Sequence, residues 1–72
     1  MKKSIFNKLA AEAEKKLQNK KITLSGYNDI LYCLCDIIKN GNAETITQTT
    51  ANFFKDNKAI IKNSGIGYKI NY

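Results

Sequence analysis

Seventy-two residues set an upper limit of one domain, 1–72, and the twelve basic residues are all lysine against six acids, for a net charge of +6. With no histidine and no run of about 18 apolar residues, the composition argues against proton-transfer catalysis near neutral pH and against a membrane span. A chain this short buries only about 60% of the surface it exposes when unfolded, so a homodimer is an open route to added stability.

The charge is unevenly spread. Met1 to Lys21 carries seven lysines against Glu12 and Glu14, for +5. Ile22 to Asn57 carries two lysines against four acids, for −2, and Lys58 to Tyr72 carries three lysines and no acid, for +3. Met1 to Lys3 is basic, but an amphipathic stretch rather than an apolar run follows it, which points to the cytoplasm rather than to secretion. Only Cys33 and Cys35 are present. On a helix they point about 200° apart, so they neither bond to each other nor share a metal. They are expected as reduced thiols at the margins of a core, and no cofactor is implied.

A first helix is predicted from Ser4 to Gln18 with Ser4 as its N-cap. Ile5, Leu9, Ala13 and Leu17 recur at i+4 with Phe6 and Ala10 beside them, while Lys8, Glu12 and Lys16 lie four apart on the wet side. Lys21 to Leu24 is short, alternating and β-branched, and reads as a brief strand. Ser25 then caps a second helix that runs to Asn40 and stops at Gly41. Its arc of Tyr27, Ile30, Leu31, Leu34, Ile37 and Ile38 forms the centre of the core. The opposite face carries Asn28, Asp29, Tyr32 and Asp36, a tyrosine between aspartates that suits a protein contact.

Asn40-Gly41-Asn42 is a tight break, and a third helix is predicted from Ala43 to Asp56 with Asn42 as N-cap. Ala43, Ile46, Thr50, Phe53 and Phe54 turn inward. Thr45, Gln48, Thr49, Asn52 and Lys55 occupy an arc of about 120° on the outer side. The remaining stretch reads as a hairpin with a Ser64-Gly65 loop, pairing Asn63 with Ile66 and Ile61 with Tyr68. That register sorts Ala59, Ile61, Ile66, Tyr68 and Ile70 onto one face and Ile60, Lys62, Gly67, Lys69 and Asn71 onto the other. The glycines of Ser64-Gly65-Ile66-Gly67 suit the turn and the close approach of a neighbouring backbone.

Helix, short strand, helix, turn, helix, hairpin is the order of a winged helix-turn-helix domain, and this chain resembles that α+β fold in architecture over nearly its full length. The resemblance implies that the third helix is the recognition helix. Gln48 and Asn52 would pair with adenine, Thr45 and Thr49 would meet phosphate or a thymine methyl, and Lys55 would reach the backbone. Lys62 and Lys69 on the wing, with Lys2, Lys3 and Lys8 on the first helix, would neutralise phosphates. Against this stand the absence of arginine and the acids Asp29, Asp36, Glu44 and Asp56 in the reading segment. A unit this small also needs a dimer for specific binding.

Two other classes fit the same residues. Small lysine- and asparagine-rich chains are similar in size and composition to phage proteins that block host defences, including inhibitors of CRISPR effectors. That resemblance implies a host protein partner, met through the third-helix face or through Tyr32 and its aspartates. An oligomer that holds a nucleotide between subunits is the third class. The expected reading is a small non-enzymatic nucleic-acid-binding protein, an accessory or regulator of a phage or mobile element, with the inhibitor as its alternative.

Overall fold

The computed structural model describes residues 2–63 and 67–71. Three helices, α1 (Lys3–Gln18), α2 (Leu24–Asn40) and α3 (Gln48–Asp56), precede an antiparallel hairpin of β1 (Ile60–Asn63) and β2 (Tyr68–Asn71). This is a small, mostly helical α+β domain. None of the helices among the described residues is long and apolar enough to cross a membrane.

α1 follows the predicted stripe, with Leu9 and Ala13 fully buried and Ile5 and Phe6 packed beside them. Its start differs from the expectation. Lys2, not Ser4, is the N-cap, and no side chain caps the helix. The Lys2 carbonyl accepts from the N–H groups of both Ile5 and Phe6, at 3.1 Å each, and this draws Ser4 inside the first turn.

The strand expected at Lys21 to Leu24 does not form. α1 instead closes through a Schellman turn in which Lys20 N–H donates to Leu17 O and Lys21 N–H to Lys16 O, with Lys20 left-handed at φ 58°. Thr23 then caps α2, its hydroxyl accepting from Gly26 N–H at 3.0 Å, so Ser25 is not the cap. A β-branched residue that reads as strand has become a helix start, because its oxygen satisfies an otherwise orphaned donor.

α2 supplies the middle of the core through Ile30, Cys33, Leu34 and Ile37, and ends as expected at Gly41, which is left-handed at φ 83°. Ile38, expected in that core arc, is instead 39% exposed. Beyond Gly41 the chain departs further from the expectation. Residues 43–47 are not helical. Ala43 N–H donates to Tyr68 O at 2.9 Å and Tyr68 N–H donates back to Ala43 O at 2.7 Å, so the connection is clamped to the outer edge of β2.

α3 therefore starts five residues later than predicted. Thr47 is its cap, accepting from Thr50 N–H at 3.1 Å while donating to the Thr50 hydroxyl at 2.8 Å. Thr50 is 1% exposed, and this bond is what allows its hydroxyl to be buried.

The hairpin register is Ile60 to Asn71, Ile61 to Ile70, Lys62 to Lys69 and Asn63 to Tyr68. Asn63 thus faces Tyr68 rather than Ile66, and Ile61 faces Ile70 rather than Tyr68. The shift is two residues, so the division into faces survives. The predicted Ser64-Gly65 loop lies outside the described residues. Gly67 explains part of the shift. It adopts φ 150°, and a Cβ there would sit 2.7 Å from Ala43 O. The close backbone approach expected of this glycine is the Ala43 bridge.

Two stability outcomes follow from these contacts. Gly67→Ala combines disallowed backbone with a clash against a carbonyl, and is expected to cost about 1–3 kcal/mol in urea unfolding. Thr47→Ala removes a cap and strands the Thr50 hydroxyl, so a loss of about 1–3 kcal/mol is expected, with Thr47→Ser restoring most of it.

Candidate nucleic-acid interface

α3 turns Thr50, Phe53 and Phe54 into the core, so its remaining positions must face out. Gln48, Thr49, Asn52 and Lys55 are all exposed. Gln48 Nε2 donates to Asn52 Oδ1 at 3.0 Å, linking the two amides one turn apart. Thr45 does not join them. It lies on the extended 43–47 connection, and the physical reason is the Ala43 bridge, which keeps that stretch out of the helix.

The lysines beside this stripe come from elements far away in sequence. Lys16 of α1 and Lys21 of the connection to α2 line a groove with Thr49, Asn52 and Asp56. A second groove brings Lys8 and Glu12 together with Asp56, Asn57 and Lys58. Lys16 of α1 thus reaches the exposed side of α3, and Lys8 the turn that follows it. Lys2 and Lys3 stand exposed at the beginning of α1, and Lys69 is exposed on β2. For Lys62 the backbone register opposite Lys69 is defined, while its side chain lies outside the description.

Sequence reasoning missed three residues of this site. Lys16 was placed on the wet side of α1 beside Glu12, yet its Nζ lies 3.8 Å from Asp56 Oδ2. Exposed at 29% and 64%, that pair is worth at most about 1 kcal/mol, but it offsets the one acid on the outer side of α3. Lys21 and Lys58 were missed because each follows a helix end, and only the turn places it. Lys58 is left-handed at φ 59°, with its N–H donating to Lys55 O and Ala59 N–H to Phe54 O. This is the same Schellman geometry that ends α1.

The other acids of the 22–57 segment gather elsewhere. Asp36 and Glu44 share a groove with Asn40, Asn42 and Thr45, and Asp29 and Asp36 share another with Tyr32, Thr45 and Thr47. Among the described residues no lysine lines either groove. The segment that reads as net negative thus puts three of its four carboxylates on the α2 edge, away from the lysine grooves.

The two cysteines separate as their spacing requires. Cys33 is buried and Cys35 exposed, and both are free thiols, so only Cys33 belongs to the core. Burial, with a smaller contribution from the Asp36 charge, pushes the Cys33 thiol up to about 11. Among the described residues no group of His, Cys, Asp or Glu is arranged to hold a metal. No protein-family model matches the chain, nor does any curated protein or solved structure.

Alkylation at about pH 8 is expected to label Cys35 in the native protein and to reach Cys33 only on unfolding, as read by mass spectrometry. The Cys33 thiol ionises in the unfolded chain from its ordinary value of 9.0 and in the folded chain near about 11. Between the two, the unfolded state releases a proton that the folded state keeps. Stability should therefore fall as pH rises through that window, and fall less in Cys33→Ala.

Proposed function

We propose that this protein is a small non-enzymatic nucleic-acid-binding module, winged-helix-like in using α3 and the hairpin behind it, and suited to an accessory or regulatory role in a phage or mobile element. The observation that carries this reading is the shared groove of Lys16, Lys21, Thr49 and Asn52. Uncharged hydrogen-bonding side chains on a helix, flanked by cations from a neighbouring element, match what a duplex offers: base edges in a groove and phosphates along its rim. The fold differs from a winged helix in where its extra strand pairing falls, between α2 and α3 rather than between α1 and α2. The hairpin nonetheless follows α3 directly, as a wing would.

Backbone geometry lends independent support. Lys20 and Lys58 both occupy left-handed positions at helix ends, where glycine is the usual residue and a side chain costs roughly 1–2 kcal/mol. Strain held at two exposed lysines, of which Lys58 lines the groove of Lys8 and Asp56, supports a use for their charge. Asp56 opposes the reading, since it lies on the same side of α3, and Lys16 partly neutralises it.

A second reading rests on the acidic α2 edge. A groove bounded by Asp29, Tyr32 and Asp36 in a lysine-rich chain would suit contact with a basic surface of a host protein, the mode of a phage-type inhibitor. Stoichiometric capture of one protein from nuclease-treated lysate, with no duplex binding, would favour it.

Duplex binding followed by anisotropy should weaken roughly 10²- to 10³-fold between about 50 and 200 mM salt, for about five lysine–phosphate contacts. Asn52→Ala should reduce sequence preference, and Lys16→Ala or Lys21→Ala should weaken binding uniformly. Asp56→Asn should tighten it. Lys20→Gly and Lys58→Gly should each raise stability by about 1 kcal/mol while weakening binding. No measurable binding to duplex or single strand at about 50 mM salt would overturn the proposal.

A further inference from the structure

Nine asparagines are present, and Asn40 alone among them is followed by glycine. That dipeptide has a chemistry of its own, because Gly41 has no side chain to shield its amide nitrogen from the Asn40 carboxamide. Asn40 is the last residue of α2 and is exposed, lining the groove of Asp36, Asn42, Glu44 and Thr45. Gly41 is exposed as well, and nothing lies within 4 Å of where its Cβ would stand. The carboxamide is thus open to water, and the nitrogen beside it is sterically bare. Only main-chain bonding restrains them: Gly41 N–H donates to Ile37 O at 2.8 Å.

We infer that Asn40–Gly41 is a modification site, at which the chain deamidates through a cyclic imide, and that the cap of α2 holds it closed in the native protein. A base, water or hydroxide, removes the Gly41 N–H proton, and the nitrogen attacks Asn40 Cγ. A bond forms between that nitrogen and Cγ, while the carboxamide nitrogen takes a proton from water and leaves as ammonia. Water then opens the five-membered ring. Cleavage between the ring nitrogen and Cγ leaves an ordinary aspartate. Cleavage between the nitrogen and the main-chain carbonyl carbon leaves isoaspartate, with one extra carbon in the backbone. Either product puts a carboxylate where a neutral amide stood, and water is the only co-reactant.

Two features of the fold oppose ring closure. The ring needs ψ of Asn40 near about −120°, which brings the Gly41 nitrogen into line with Cβ, whereas a helical residue sits at about −42°. A rotation of roughly 80° from that helical value swings Gly41 N–H away from Ile37 O. Ala43, two residues on, is fixed to Tyr68 by hydrogen bonds in both directions, so the chain is held on each side of the reacting bond. Charge is the second obstacle. Asp36 and Glu44 share the groove, and the carbonyl end of α2 adds partial negative charge, so both the nitrogen anion and the new carboxylate are disfavoured. The reaction therefore proceeds only from molecules in which the last turn of α2 has opened. The isoaspartate product cannot close the cap again, because its extra carbon displaces Gly41 from Ile37, and the Ala43 bridge loses an anchor. A transient opening becomes a lasting one. The inference is independent of any ligand.

The full chain, native and in urea, should be incubated in mildly alkaline buffer at physiological temperature and followed by peptide mass mapping. In urea, Asn40 should deamidate faster than every other asparagine and give both aspartate and isoaspartate peptides. Gly41→Ala should slow it there, where folding plays no part. In the native protein Asn40 should react at least about tenfold more slowly than in urea. The purified isoaspartate form should lose hydrogen-exchange protection at the Ala43 and Tyr68 amides. Asn40→Asp, which carries the charge without the extra carbon, should keep it. Equal rates in the native and unfolded chain, full protection in the isoaspartate form, or lost protection in Asn40→Asp would overturn the inference.

Discussion

Two main-chain hydrogen bonds, from Ala43 to Tyr68 and back, are the contact on which the arrangement of this small protein depends. They join the connection between α2 and α3 to the last strand, which is 25 positions further along the chain. Without them nothing would hold residues 43–47 extended, and the terminal hairpin would touch the helices through side chains alone. The bridge also imposes the glycine at 67, since no other residue leaves room for the Ala43 carbonyl. Local preference cooperates: Thr45, Ile46 and Thr47 are β-branched, so the stretch gives up little by leaving the helix.

By delaying α3 to Gln48, the bridge decides which side chains share a surface. Thr45 is carried to the acidic edge of α2, while Thr49 and Asn52 are brought alongside Lys16 of α1 and Lys21. Charge that looks intermixed along the chain is thereby sorted in space. The acidic segment 22–57 contributes its carboxylates mainly to one edge, and the lysines of α1 and of the two Schellman turns line the other grooves. Sorting of this kind creates a directional field out of a modest net charge, and that is what makes the α1–α3 side the better candidate for a polyanion.

α2 is the other organising element. Its inner stripe unites Leu9 and Ala13 of α1 with Phe53 and Phe54 of α3 in one core. Its outer stripe leaves apolar area in water on a chain too short to bury much of its surface.

Amphipathic periodicity by itself determined α1 and α2 to within about two residues, the stop at Gly41, the angle that separates Cys33 from Cys35, and the antiparallel hairpin. Each of these is a local property: a period of 3.6 or 2, a left-handed glycine, or an angle between neighbours on a helix. What only the tertiary structure decided was where local options compete. Thr23 and Thr47 each suit a strand or a cap, and became caps because the following N–H groups had no other acceptor. Residues 43–47 suit a helix on apolar spacing alone, and became extended because the hairpin offered main-chain partners that lie far away in sequence. The hairpin slid by two residues because Gly67 had to meet that same backbone. Lys16 and Lys21 came to lie beside Thr49 and Asn52 because the fold brings the end of α1 and its closing turn to α3, a long-range relation that no short window of residues encodes.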